Sequence, residues 1–136
     1  KKILLQRRAL EIYFTSGLWT NTCCTHPNPG ESPESCSKRR LKEEMGITGV
    51  DLHFLTKIEY KADVGNDLIE NEVVDVFCGY IEEISTFNLN PSPKEVMDTK
   101  WIAIQDLERE IQLNPNKFTP WLKIYVQDYS ILSRKT

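Results

Sequence analysis

The stretch Glu31-Ser32-Pro33-Glu34-Ser35-Cys36-Ser37-Lys38-Arg39-Arg40-Leu41-Lys42-Glu43-Glu44-Met45-Gly46-Ile47 decides how the rest of the chain is read. Ser32 can cap free backbone amides, Pro33 suits a first helical turn, and Glu34 complements the helix dipole there. Gly46 stops the helix after about three turns, because glycine readily takes the left-handed conformation that ends one. Seven residues separate Glu31 from Arg39, and the pairs Arg39/Glu43 and Arg40/Glu44 are each four apart. Residues four apart share a helix face. Spacing alone leaves two readings open: a solvated helix laced with weak ion pairs, or a charged face built for ligands.

Outward from this helix, Asn28-Pro29-Gly30 is turn chemistry, and Leu18 to Pro27 is an extended segment that Pro27 ends. Before it, apolar Ile3, Leu4 and Leu5 run into Gln6, Arg7 and Arg8, which predicts a strand over Lys1 to Arg8. Downstream the pattern predicts a strand from Asp51 to Tyr60 and a polar loop from Lys61 to Asn66. The most β-prone stretch, Val73 to Ile81, is entered from Glu70-Asn71-Glu72. A short turn or helix over Pro91 to Asp98, a strand over Lys100 to Ile104 and a short helix over Leu107 to Ile111 follow. Behind Pro120, the spacing of Trp121, Ile124, Tyr125, Asp128 and Leu132 predicts a C-terminal amphipathic helix. The sum is an α+β fold, a mixed β-sheet flanked by helices as an α/β/α sandwich, in one domain over residues 1–136.

Composition narrows the function. The chain has 136 residues, 40% hydrophobic and 27% charged, which is one globular domain with room for a core. Lys plus Arg is 17 against 20 for Asp plus Glu, a net charge of −3, which does not supply the basic surface of a general nucleic-acid binder. Any anionic ligand must meet a local cluster of positive groups. Four cysteines without a Cys-x-x-Cys pair argue against a zinc knuckle or a disulfide framework and for free thiols in a reducing cytoplasm. No apolar run reaches the roughly 20 residues that span a bilayer, so no membrane role is expected. With no initiator Met, a segment preceding Lys1 is expected.

Two same-face pairs stand out beside the helix. Cys24 and His26 are two apart in an extended segment, and Glu70 and Glu72 repeat that spacing at the mouth of the next strand. Carboxylates with imidazole suit a divalent transition metal, and a thiol beside them can serve as acid or base. A buried small cysteine and a solvated strand face are the plainer alternatives.

The spacing from Thr25 to Ile47 resembles the Nudix box, with Thr25 in place of its first glycine and Arg40 in place of the glutamate after the arginine. With Trp19-Thr20-Asn21-Thr22-Cys23-Cys24-Thr25-His26-Pro27, Glu70-Asn71-Glu72-Val73, Glu95-Val96-Met97-Asp98 and Phe118-Thr119-Pro120-Trp121, the chain resembles the type I isopentenyl-diphosphate isomerases. That family keeps a modified Nudix fold. The resemblance implies interconversion of isopentenyl and dimethylallyl diphosphate in isoprenoid biosynthesis, by adding a proton to the alkene and removing one from the neighbouring carbon. It implies Cys24 and Glu72 as catalytic acid and base and Tyr60 as the hydrogen-bond partner of the glutamate. Trp121 is implied as the indole that stabilises the tertiary cation, an attraction worth about 2 kcal/mol or more in a dry site.

The resemblance further implies a transition metal, Zn2+ or Mn2+, on His26, Glu70 and Glu72. The diphosphate is expected on Arg8 and Arg40, with Mg2+ bridging to Glu44 and the Cys24 carbonyl. Two further histidine ligands come, in the family, from before the first strand, and this sequence has none there; His53 lies in a different strand and is read as structural. Ile12 and Ser16 stand where the family has a lysine and a proline. The expected partner is a small prenyl diphosphate, with no nucleic acid or membrane, and the expected state a monomer or weak dimer. A Nudix-type diphosphate hydrolase and an inactive diphosphate-binding fragment remain alternatives, and Arg40 discriminates against the hydrolase, which needs a carboxylate at that place.

Overall fold

Consecutive leucines on the first strand set up the layers. In a computed structural model that describes residues 2–12, 14–65 and 67–127, β1 (Lys2–Arg8) lies between β2 (Trp19–Thr20) and β5 (Val96–Ala103), antiparallel to both. Successive side chains of a strand point to opposite faces. Leu5 therefore packs with Leu107 and Ile111 of α2 (Ile104–Leu113) and with Phe118, Leu122 and Val126, the last two on α3 (Pro120–Gln127). Leu4 faces the other way, onto Met45 of α1 (Pro33–Met45) and onto Ile47 and Val96. Helices thus cover both faces of this sheet. A one-residue slip would turn both leucines to the wrong layer, and fully burying such a side chain contributes about 1.5–3 kcal/mol, so the register is strongly specified.

The other strands form a separate antiparallel hairpin, β3 (His53–Gly65) and β4 (Leu68–Cys78). Its inner face carries Ile58, Tyr60 and Ala62, which pack with Trp121 and Tyr125 of α3. The strand pairs are all antiparallel among the described residues; the parallel component of the fold is a single bridge between Trp19 and Phe118.

Several boundaries differ from expectation. Lys61 to Gly65, expected as loop, continues β3, because Lys61, Asp63 and Gly65 pair across to Asn71, Ile69 and Leu68 while Ala62 is buried between them. Propensity read the polar alternation as a loop, but a hairpin with one solvated face is polar at every second residue. Likewise β4 begins at Leu68 and β5 at Val96, earlier than their most apolar stretches. Lys1, Asn66, Asp128 and Leu132 lie outside the described residues.

Helix α1 starts and stops as its ends dictate. The Ser32 hydroxyl accepts from the Ser35 amide at 3.2 Å, Pro33 opens the helix, and Gly46 closes it at φ 67° with its amide turned back onto Leu41 and Lys42 carbonyls. The next segment is tied to that end, since the Asn90 amide donates to Met45 O and the Ser92 amide to Glu44 O, both at 2.9 Å.

Candidate active site

The Glu31-to-Arg39 spacing has a direct structural cause. Arg39 grips the Glu31 carboxylate with both arms of its guanidinium, Nε to Oε2 at 2.7 Å and Nη2 to Oε1 at 2.9 Å. Its third nitrogen reaches Glu43 at 2.8 Å. Such a fork is the strong geometry for an ion pair, and it holds the Glu31 carboxyl down at about 2. Arg39 thereby ties the loop before α1 to the helix.

Arg40 shares Glu43 with Arg39 and adds two acids of its own. It donates to Glu43 at 3.1 Å, Glu44 at 3.0 Å and Glu95 at 2.6 Å. Both i,i+4 pairs expected from the sequence form, and Arg40 adds a long-range partner in Glu95. Glu44 is 4% exposed. Its Oε1 accepts from Gln6 Nε2 at 2.8 Å, and its Oε2 from Arg40 and from the Cys23 thiol at 3.4 Å. Burial pushes the Glu44 carboxyl above its usual range against the pull of Gln6 and Arg40.

Cys24 takes the opposite side of its segment from Cys23. Where Cys23 meets Glu44, Cys24 packs against Tyr60, Trp121 and Tyr125. Burial, chiefly, pushes the Cys24 thiol up to about 12, with the Glu70 charge adding to it and Arg8 opposing it. The group is therefore a thiol, not a thiolate, at neutral pH.

The segment 21–27 is irregular and is pinned by its own polar groups. Asn21 Nδ2 donates to the Cys23 carbonyl, the Thr22 hydroxyl to Leu4 O, and Gln6 Nε2 to Thr22 O. That pinning carries His26 to the hairpin, where its Nε2 lies 3.0 Å from Glu72 Oε1. One ligand atom each of His26, Glu70 and Glu72 lies within 4.8 Å of the others. Glu70 and Glu72 share the inner face of β4, opposite Ala62 and Tyr60. Tyr60 is the register partner of Glu72, yet its hydroxyl donates to Glu70 Oε1 at 2.9 Å, so the hydrogen bond expected with Glu72 is made with its neighbour.

Trp121 is 4% exposed, on the first turn of α3, and its indole nitrogen is buried without a hydrogen-bond partner among the described residues. The Arg8 guanidinium stands 5.4 Å from the centre of its ring and also donates to the Phe14 carbonyl. Arg8, Cys24, Tyr60, Trp121 and the Glu70/Glu72 pair are thus brought together. Arg40 and Glu44 form an adjoining cluster, reached through Cys23. His53 is exposed at the start of β3, in register with Cys78 and outside the His26/Glu70/Glu72 group.

Two contacts of the site escaped the sequence reading. Glu95, quoted there only within Glu95-Val96-Met97-Asp98, sits 55 positions from its partner Arg40, beyond any local spacing rule. Gln6 left a usable signal, a polar residue in phase with inward-facing Leu4. The donor sets fit cations: imidazole with two carboxylates suits a divalent transition metal, and the buried Glu44 oxygen suits a hard ion such as Mg2+.

Comparison with known proteins places this geometry. Residues 1–122 match the NUDIX domain. The chain is 52% identical over 127 residues to an isopentenyl-diphosphate Delta-isomerase of Cereibacter sphaeroides, covering 93% of this chain and 71% of that protein. It is 52% identical to that of Ruegeria pomeroyi, covering 94% and 70%, and 51% identical to that of Rhodobacter capsulatus, covering 94% and 72%. A crystal structure of a Deinococcus radiodurans protein shares the fold at a TM-score of 0.66 and 13% identity, over 83% of this chain and 65% of that one. With half of its aligned residues shared along almost its whole length, the chain belongs to the isopentenyl-diphosphate Delta-isomerases of the Nudix family.

Proposed function

We propose that Cys24 and Glu72 are the acid and base with which this isomerase shifts a proton between isopentenyl and dimethylallyl diphosphate. The observation that carries the assignment is the meeting of the Cys24 thiol, the Glu70/Glu72 carboxylates and the Trp121 indole against the inner face of one hairpin. A 1,3-allylic shift adds a proton to the terminal alkene carbon and removes one from the carbon two positions away, on the other side of the cationic centre, so it needs two proton-transfer groups. A thiol held up at about 12 supports Cys24 entering the cycle as the protonated member. Glu72, held by His26, is its counterpart. Because the interconversion is reversible, each group is acid in one direction and base in the other.

The cation formed on protonation must meet neither water nor a nucleophile. Trp121, Tyr60 and Tyr125, each under 10% exposed, exclude water, and the indole face attracts positive charge. Tyr60 anchors Glu70 through its hydroxyl and so fixes the orientation of that carboxylate. The diphosphate falls to Arg8, beside Trp121, and to Arg40, which exchanges Glu95 for it. His26, Glu70 and Glu72 would hold Zn2+ or Mn2+, and Glu44 would hold Mg2+; bound there, such ions supply positive charge for the diphosphate and acidify neighbouring groups. The hydrolase reading is the weaker, because Arg40 occupies the place of a box carboxylate and engages Glu43, Glu44 and Glu95.

The partner is a small prenyl diphosphate, the compartment the cytoplasm and the state a monomer or weak dimer, with no nucleic acid involved. Among the described residues no helix is long and apolar enough to cross a membrane, and the net charge of −3 offers no generally basic surface for nucleic acid. The test follows isopentenyl diphosphate by proton NMR. Cys24→Ala and Glu72→Gln are each expected to lower kcat by about 10²- to 10⁴-fold. Activity retained in both, or phosphate released in place of isomer, overturns the proposal.

A further inference from the structure

Gln6 breaks the apolar pattern of β1 at a position turned into the protein. It shares a strand face with Leu4 and is 1% exposed, and α1 supplies its neighbours Glu44 and Met45. Its amide nitrogen donates to the Thr22 carbonyl at 2.7 Å and to Glu44 Oε1 at 2.8 Å, with the Met45 sulfur a more distant acceptor at 3.8 Å. Its oxygen is buried with no hydrogen-bond partner among the described residues. Turning the amide round would set that oxygen against a carboxylate and a carbonyl, two acceptors, so the orientation is dictated by the groups it joins. A polar side chain placed in a core, with half of its hydrogen-bonding capacity unused, is there for what the other half holds.

We propose that Gln6 is a positioning residue of the isomerase site, clamping Glu44 to the main chain of the segment that carries Cys24. The clamp fixes Oε1, and it leaves Oε2, which faces Arg40 and Cys23, as the oxygen free to exchange partners. An unclamped carboxylate rotates about its last bond, and a ligand that needs one orientation must then order it. Groups that hydrogen-bond a metal-binding carboxylate orient it in the same way, and losing one costs about 10- to 100-fold in metal affinity. The inference rests on the reading of Glu44 as the Mg2+ ligand.

The experiment measures Mg2+ binding by calorimetry in the presence of inorganic pyrophosphate, for the wild-type chain and for Gln6→Met, which keeps length and volume but loses both donors. Zn2+ binding, without pyrophosphate, reports separately on His26, Glu70 and Glu72. The variant is expected to lose about 10- to 100-fold in Mg2+ affinity, to keep its Zn2+ affinity, and to raise KM for isopentenyl diphosphate by more than it lowers kcat. Adding Gln6→Met to Glu44→Gln is expected to cost nothing more, because the two act as one unit. Equal Mg2+ affinity in wild type and variant, with Zn2+ binding intact, overturns the proposal. A wild-type chain that binds no Mg2+ with pyrophosphate overturns the Glu44 reading itself, a distinguishable failure. Should Gln6→Met not fold, the 15N side-chain amide resonances of Gln6 in the wild type decide: they are expected to move when Mg2+ and pyrophosphate are added together, and unmoved resonances overturn the inference.

Discussion

At the scale of single residues, two side chains of one segment receive opposite surroundings. Cys23 and Cys24 are adjacent, yet one meets Glu44 and the other the aromatic cluster of Tyr60, Trp121 and Tyr125. Within that cluster Trp121 offers a π-face and no nucleophile, so its loss is expected to fall on the charged transition state more than on binding. Removing a desolvated cation-π contact costs about 2 kcal/mol, about 30-fold in rate. Trp121→Leu is accordingly expected to lower kcat by about 30-fold with KM little changed, while Trp121→Phe keeps most of the rate. Steady-state kinetics of both variants check this, and a change confined to KM would assign Trp121 to packing.

At the scale of elements, α1 is held at both ends by contacts that predict different responses. At its start, Glu31 is held at about 2 by Arg39 against an ordinary value of 4.5. A carboxyl whose folded pKa is depressed stabilises the fold above its unfolded pKa and loses that contribution as pH falls toward the folded one. Stability is thus expected to decline between about pH 4.5 and 2, and Glu31→Gln to flatten that decline in urea unfolding followed across the range. At its end, Gly46 has φ 67°, and a Cβ there would sit 2.6 Å from Asn90 Cβ and 2.7 Å from Asn90 O. Gly49, at φ 75°, has nothing within 4 Å of the same atom. Gly49→Ala is expected to cost the backbone strain alone, about 1–2 kcal/mol. Gly46→Ala should cost more, because it also pushes away the segment that carries Glu95 to Arg40. Unfolding midpoints of the two variants measure the difference, and equal losses would show that Asn90 yields freely.

At the scale of the molecule, the site is assembled from parts distant in sequence: segment 21–27, the hairpin, β1, α1 and the start of α3. His26 and Glu72 are 46 positions apart, and Arg40 and Glu95 are 55. A cation shared by His26, Glu70 and Glu72 binds only the folded arrangement, so it stabilises by mass action, about 2.7 kcal/mol at 100 times its Kd. Adding Zn2+ or Mn2+ is expected to raise the melting temperature by several degrees in the wild type and not in His26→Ala; an unmoved wild type would remove the metal from the proposal. Much of this was legible before any coordinate. The caps of α1, the i,i+4 pairs, the facing pair Glu70/Glu72 and the α+β class follow from short-range geometry, because helix and strand periods alone decide which near neighbours share a face. The continuation of β3 through Lys61–Gly65, the bond from Tyr60 to Glu70, the capture of Arg40 by Glu95 and the bridge of Gln6 from Thr22 to Glu44 were not. The first two depend on the register of the hairpin, which the polar alternation of its solvated face conceals; the last two join elements distant in sequence, which leave no period in it and meet only when the burial of Leu4 and Leu5 into opposite layers packs those elements together.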